Sequence, residues 1–279
     1  NAIAYDPLTH TLHDPFDGQG DLARRILRAV GDPAQRFAED GLRLLRAVRF
    51  AAQLAFAIDP LTQHAFAGAL PTLRKVSRER VRDELLRLMA APQPSLGLCH
   101  LLQPPVSPDS GENTRFDSEN SLLSVALPEV CDIFGADARA AADWMRLIDA
   151  TDPARRVAAL LWPLRTHALA RSDAATDRRD SRLLSDLLDE RLKLPLAQRQ
   201  HLAALLLLPD VDYDACKPWG DGQLRRFLAA HPPDLVDDYL AIRRQELAQG
   251  GGDHSLKISL AELATRIAAE RNKNPPLAT

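Results

Sequence analysis

Asp32-Pro33 opens the stretch that most constrains what this chain can fold into. Aspartate is a good N-cap and proline fits the first helical turn, so the pair predicts a helix starting there and running to about Leu54. Leu44, Val48, Ala51 and Ala52 recur at helical spacing within it and form a core stripe. Asp40, Arg43, Arg46 and Arg49 stand at strict three-residue steps. Each is turned about 60° from the last, so they sweep an arc opposite that stripe. A stripe of this kind needs other helices to cover it, and the composition supplies them. Aromatic residues make up only 5% of the chain while Ala, Leu and Arg abound, which favours helix over sheet.

The same punctuation recurs downstream. Asp59-Pro60 predicts a helix to about residue 69, and Ser77 caps one carrying Val81, Leu85, Leu86 and Leu88 to about Ala90. Pro92 and Pro94 close that block, and residues 103–120 are polar and Pro/Ser-rich, the pattern of a flexible insertion. Further helices are expected at about 135–150, 153–170, 180–193, 196–208, 221–230 and 233–248, with a last one opening on the capping box Ser259-Leu260-Ala261-Glu262. Ahead of all of these, residues 2–5 and 9–13 flank Asp6-Pro7-Leu8 and read as a β-hairpin. A lone hairpin is marginal in water, and no other segment reads as a strand, so it looks like the edge of a larger sheet. The fold class is mostly α, and 279 residues suit two domains.

Charge and cysteine usage narrow the classes of function. A net charge of −3 carries no global nucleic-acid signature, although Arg74, Lys75, Arg78, Arg80, Arg82 and Arg87 form a local basic cluster. Glu79, Asp83 and Glu84 are interleaved with it, so it reads either as a solvated face laced with ion pairs or as a phosphate-contacting face. Cys99, Cys131 and Cys216 are isolated, without zinc or disulfide spacing, and read as reduced thiols of a cytoplasmic protein. No apolar run nears membrane-spanning length and no signal peptide opens the chain.

The arginine arc has two readings on spacing alone. It is either a solvated face, with Asp40 pairing Arg36 and Arg43, or an anion site. Three guanidiniums in a row suit a triphosphate, because each planar fork donates two parallel hydrogen bonds to phosphate oxygens.

Three ordered motifs carry a resemblance. Asn1-Ala2, Asp14-Pro15-Phe16-Asp17-Gly18 and Glu39-Asp40-Gly41-Leu42-Arg43 resemble, in order, segments of the class II tRNA nucleotidyltransferases, the CCA-adding enzymes that share a superfamily with bacterial poly(A) polymerase. Asn1-Ala2 is similar to the end of that family's Arg-Arg-Asp-Phe-Thr-Ile-Asn-Ala motif, the second segment to its hinge, and the third to its nucleotide-selecting Glu-Asp-x-x-Arg. The likeness is close over residues 1–92 and weaker to about residue 248.

The resemblance implies a division into residues 1–20, a remnant of a nucleotidyltransferase head; 21–92, a nucleotide-selecting and RNA-binding helical neck; 93–130, a linker; 131–250, a degenerate HD-like helical body; and 251–279, a C-terminal helix and tail. It implies that Asp40 and Arg43 present edges to the incoming base of CTP or ATP, that Arg46 and Arg49 hold the triphosphate, and that Glu39 supports them. The reaction it implies is attack of the tRNA 3′-hydroxyl on the α-phosphate, with Mg²⁺ held by carboxylates expected upstream of Asn1 and no catalytic or metal residue in the chain itself. Asp210-Val211-Asp212-Tyr213-Asp214 has the spacing of a metal dyad but no strand context, and reads as a solvated turn. Where many relatives carry His-Asp in an HD-type phosphohydrolase helix, this chain has Trp162-Pro163, and Pro163 is expected to disturb the helix. His13-Asp14 lies outside any helix, and His167 and His201 lack partners at ligand spacing. Two other functions fit the same residues: a poly(A) polymerase, and a non-catalytic helical RNA-binding module.

Overall fold

The computed structural model describes residues 3–102, 121–134, 137–169, 184–208, 219–249 and 254–273, with side chains of 166–169 excepted. The expected insertion at 103–120, the Asp210–Asp214 run, Cys216 and the His167 side chain lie outside the described residues. The described chain is mostly helical and divides into two compact units, Asn1–Ala141 with Arg191–Lys193, and Ala142–Glu190 with Leu194–Thr279. The division thus falls near residue 141, well beyond residue 92, where the sequence places the end of the neck.

Unit 1 opens with the hairpin, β1 (Ala4–Asp6) antiparallel to β2 (Thr11–His13), Tyr5 facing Leu12. Its turn is pinned by Asp6 Oδ1, which accepts from the Leu8 amide at 2.8 Å. α1 (Gly18–Arg24) follows, and its first two amides, Gly18 and Gln19, donate to the Asp14 carboxylate. A second strand pair escaped the sequence reading: β3 (Ile26–Leu27) runs parallel to β4 (Ala57–Ile58). Two-residue strands have no period to read; the Ala57 and Asp59 amides donate to the Arg25 and Leu27 carbonyls, and Arg28, bound to Asp21, also pairs with Asp59, which caps the next helix.

The predicted helix over 33–54 is two helices, α2 (Pro33–Glu39) and α3 (Leu42–Leu54). Asp40 is extended, at φ −154° and ψ 108°, and its Oδ1 accepts from the Leu42 amide, so it ends one helix and starts the next. The break brings Gly41 against the backbone of Thr72 and Leu73, at the end of α5 (Phe66–Leu73). The helix expected over 60–69 is likewise split, into α4 (Pro60–His64) and α5. α6 (Arg78–Met89) starts at Ser77 as expected, though the Ser77 side chain makes no capping bond. The supposed linker contains three helices, α7 (Pro94–Leu102), α8 (Leu122–Ala126) and α9 (Pro128–Phe134). α7 packs against α3 so tightly that a Cβ on Gly97 would lie 2.9 Å from the Val48 carbonyl oxygen. Leu44, Val48, Leu98 and Leu101 are fully buried, the apolar stripe of α3 covered as the sequence requires.

α10 (Ala138–Ala150) leads into unit 2. α11 (Arg156–Leu169) continues through Pro163, so the proline does not interrupt it. α12 (Leu196–Leu206), α13 (Asp221–Ala230), α14 (Pro233–Gln249) and α15 (His254–Lys273) complete it. α15 starts five residues before the expected capping box, and Ser259 is buried inside the helix instead of capping it. Of the helix expected over 180–193, residues 180–183 lie outside the described residues, 184–186 are helical and lead into a π-helical turn at Leu187–Arg191.

Two glycine substitutions test the packing around α3. Gly41→Ala would set a Cβ 2.4–2.6 Å from Leu73 and Thr72 backbone atoms, so it should cost about 1–3 kcal/mol in urea unfolding. Gly68→Ala, where a Cβ meets nothing within 4 Å, should be neutral or stabilise by up to about 1 kcal/mol. Equal effects at the two positions would refute this account of the α3–α5 contact.

Candidate nucleotide-selecting site

The α2–α3 break and α6 together place the residues that the sequence singles out. Asp40 sits in the break with both carboxylate oxygens engaged: Oδ1 takes the Leu42 amide, and Oδ2 takes Nη2 of Arg80 from α6 at 2.7 Å. Burial pushes the Asp40 carboxyl up, but the Arg80 bond, the Leu42 amide and the nearby charge of Arg43 outweigh it and hold the group below its ordinary value. Arg43, in the first turn of α3, donates from Nη1 to Glu39 Oε2 at 2.5 Å and to the Arg36 carbonyl at 2.9 Å. Arg46 is exposed and its side chain makes no hydrogen bond or ion pair among the described residues.

Arg49 departs from the expected arc. It is only 8% exposed, its Nε donates to Glu84 Oε2 at 2.6 Å, its Nη1 to Gln53 Oε1 at 2.8 Å, and it lies 4.1 Å over the Phe50 ring. The correction has a geometric cause. With Asp40 outside the helix, two steps of about 60° from Arg43 carry Arg49 round to the side that α6 covers, where Glu84 is the paired charge. The structure therefore brings Glu39, Asp40 and Arg43 together, keeps Arg46 on the surface beyond them, and moves Arg49 into the core. The Asp40–Arg36 and Asp40–Arg43 pairs that a solvated face would make are not formed; Arg36 and Arg43 both turn to Glu39. Sequence spacing missed Arg80 and Glu84 as partners because they are 40 and 35 residues away along the chain. Their spacing of four on one helix, facing Asp40 and Arg49, was the only signal.

The rest of the basic cluster divides. Arg82 binds Asp83 and the Lys193 carbonyl, Arg87 approaches Glu84, and Lys193 pairs with Glu79, whereas the Arg74 and Lys75 side chains make no ion pair among the described residues. In unit 2, Trp162 and Pro163 are buried, and Trp162 packs 6.1 Å from the Tyr239 ring with Arg165 above both rings. His201, without a partner in the sequence, has one in space: Asp238 lies 2.8 Å from its Nε2 and also receives Arg155. Among the described residues no group of three or more His, Cys, Asp or Glu side chains is placed to hold a metal ion. No helix of the described residues is long and apolar enough to cross a membrane.

Removing one partner of the Arg49–Glu84 pair leaves a buried charge alone. Arg49→Ala should therefore destabilise by about 3–5 kcal/mol, while Arg46→Ala leaves the melting temperature within a degree or two. The depressed Asp40 carboxyl adds stability that is complete at neutral pH and fades as pH falls below the ordinary aspartate value toward the folded one. Arg80→Gln should lower the melting temperature at pH 7 and shrink its further fall between pH 5 and pH 3; an unchanged acid limb would mean that Arg80 does not hold Asp40.

Residues 55–103 match the family model described as "Probable RNA and SrmB-binding site of polymerase A". Over 92 residues the chain is 51% identical to the CCA-adding enzyme of Levilactobacillus brevis, a match spanning 33% of this chain and 23% of that protein. It is 46% identical over 89 residues to the CCA-adding enzyme of Staphylococcus epidermidis, spanning 32% and 22%. The chain thus matches less than a quarter of the length of these curated relatives. Its fold is similar to the Bacillus stearothermophilus CCA-adding enzyme in complex with CTP, at TM-score 0.55 and 26% identity, covering 96% of this chain and 56% of that one. A tRNA nucleotidyltransferase complexed with a primer tRNA and an incoming ATP analog shares the fold at TM-score 0.56 and 16% identity, with 94% and 67% covered. Over about a third of its length the chain is thus similar in sequence to CCA-adding enzymes, and its fold is similar to theirs over nearly all of it.

Proposed function

We propose that this chain serves as the nucleotide-selecting neck and helical body of a cytoplasmic tRNA nucleotidyltransferase that adds CCA to tRNA 3′ ends from CTP and ATP without a template. The observation that carries the reading is that Asp40 and Arg43 flank the α2–α3 break, an acceptor held by Arg80 and the Leu42 amide and a donor fork held at one corner by Glu39 and the Arg36 carbonyl. An aspartate that accepts and an arginine that donates can meet the polar edge of cytosine or adenine as a pairing base would. In this reading Arg46 meets the triphosphate, Arg49 braces it from the core through Glu84, and Glu39 supports Arg43. Arg74 and Lys75 are the cations of the 74–87 cluster left to meet RNA phosphates, which position an RNA without reading it. Residues 131–250 act as a scaffold without HD-type metal chemistry, Trp162 and Pro163 standing where a His-Asp pair would have to be.

The transfer reaction joins the tRNA 3′-hydroxyl to the nucleotide α-phosphate and releases pyrophosphate. The Mg²⁺ it requires supplies charge compensation there, and belongs in this proposal to a portion of the relatives that the present chain does not match. The family model over 55–103 supports a second reading, the poly(A) polymerase branch. Incorporation of CTP against ATP on tRNA lacking CCA separates the two, since only the first reading requires cytidine transfer.

Two outcomes are expected. The 279-residue chain alone should transfer no nucleotide and show no Ni²⁺- or Mn²⁺-dependent phosphatase activity; either activity, lost on mutating a residue of this chain, would show that its donors have been misread. In an enzyme that carries the whole family architecture, Arg43→Ala should abolish much of the preference for CTP and ATP over UTP and GTP, on the order of 10²-fold, with little change in melting temperature. Arg46→Ala should weaken all four nucleotides alike, because a triphosphate contact is blind to the base. Full selectivity in Arg43→Ala would sink the proposal.

A further inference from the structure

Arg43 is held by one corner only. Its Nη1 is fixed between two acceptors of the last turn of α2, Glu39 Oε2 at 2.5 Å and the Arg36 carbonyl at 2.9 Å. Its Nε and Nη2 make no hydrogen bond among the described residues. A guanidinium is planar, so pinning Nη1 from two sides fixes the direction of the remaining Nε–Nη2 edge. That edge can give two parallel hydrogen bonds to a flat acceptor.

What keeps the edge open is Arg36. A carboxylate beside an arginine is drawn to a two-oxygen grip on one edge of the fork. Glu39, at i−4 from Arg43, is in reach to take that grip and cover the reading edge. It does not, because Arg36 occupies it: Nη1 of Arg36 lies 3.0 Å from Oε1 and 3.1 Å from Oε2 of the same carboxylate. Glu39 is thus held by Arg36 and lends Arg43 a single oxygen. All three side chains are about 40% exposed, so the arrangement is open to screening by salt.

We propose that Arg36 is a positioning residue for nucleotide selection, acting through Glu39 to keep the Nε–Nη2 edge of Arg43 free and oriented. This rests on the reading of Arg43 as the base-facing donor. Arg36 itself touches no substrate. Its effect is on the population of binding-competent Arg43, so it belongs in KM for the correct nucleotides and not in kcat.

The test compares Arg36→Ala, Arg36→Lys, the double variant Arg36→Ala/Glu39→Gln and Arg43→Ala in the whole enzyme, with kcat and KM for CTP, ATP, UTP and GTP on tRNA lacking CCA. Arg36→Ala should raise KM for CTP and ATP, and lower discrimination, by about two- to fivefold, the scale of an exposed charge pair, with kcat unchanged. Arg36→Lys should restore most of the loss, since an ammonium still holds the carboxylate. The double variant should also recover, because a glutamine has one oxygen and cannot grip the fork. Wild-type discrimination in Arg36→Ala beside its loss in Arg43→Ala would overturn the role of Arg36 alone. Discrimination retained in Arg43→Ala would overturn the underlying reading. A double variant worse than Arg36→Ala would show that Glu39 does not compete for the fork, and would also refute the proposal.

Discussion

Two charges that have left water together, Arg49 and Glu84, set the frame of unit 1. Each alone would be costly in the interior; at 2.6 Å, with Gln53 and the Phe50 ring completing the surroundings of the guanidinium, they are tolerated only in one mutual geometry. That geometry fixes how α6 lies against α3. One turn earlier on α6 it leaves Arg80 facing Asp40, and the break between α2 and α3 then has a charged partner at its centre. Gly41 and Gly97 complete the arrangement by removing the Cβ atoms that would keep α3 away from the α5 backbone and from α7.

The site that results is graded from committed to displayed. Asp40 has both oxygens in use, which holds its carboxyl ionised and its direction fixed. Arg43 gives up one corner of its fork, and Arg46 is anchored by nothing but its own helix. Such a gradient suits discrimination between bases more than raw attraction. Groups fixed in advance lose little freedom when they meet a ligand, and groups that cannot relax penalise a wrong hydrogen-bonding edge. In the proposed reading, the exposed Arg46 has the opposite task, following a triphosphate whose charge is read without regard to shape.

Unit 2 is built around buried aromatic rings. Trp162 fills the interior beside Tyr239, Arg165 lies over both rings, and the helix continues through Pro163. Proline removes one amide donor from the helix ladder. In a helix that buries its own Leu160, Leu161 and Trp162, burial outweighs that loss, so the interruption expected from the residue alone does not occur.

Local chemistry was legible wherever a residue acts on its own neighbours. Asp32-Pro33 and Asp59-Pro60 open helices because cap and proline work within four residues, and the stripe Leu44, Val48, Ala51, Ala52 is buried because helical period alone assigns it a face. The mostly helical class and the pairing of the hairpin follow from the same short-range rules. The tertiary structure decided what depends on partners far along the chain. It broke the 33–54 helix at Asp40, since Gly41 is needed against Thr72 and Leu73; it drew Arg49 inward to Glu84; and it built helices α7 to α9 where a linker was expected, because short apolar segments become helices once a core exists to receive them. Periodicity tells which side of a helix is apolar. Which arginine of a series meets solvent and which meets a buried carboxylate is set by where the neighbouring helix crosses, and only the folded chain contains that information.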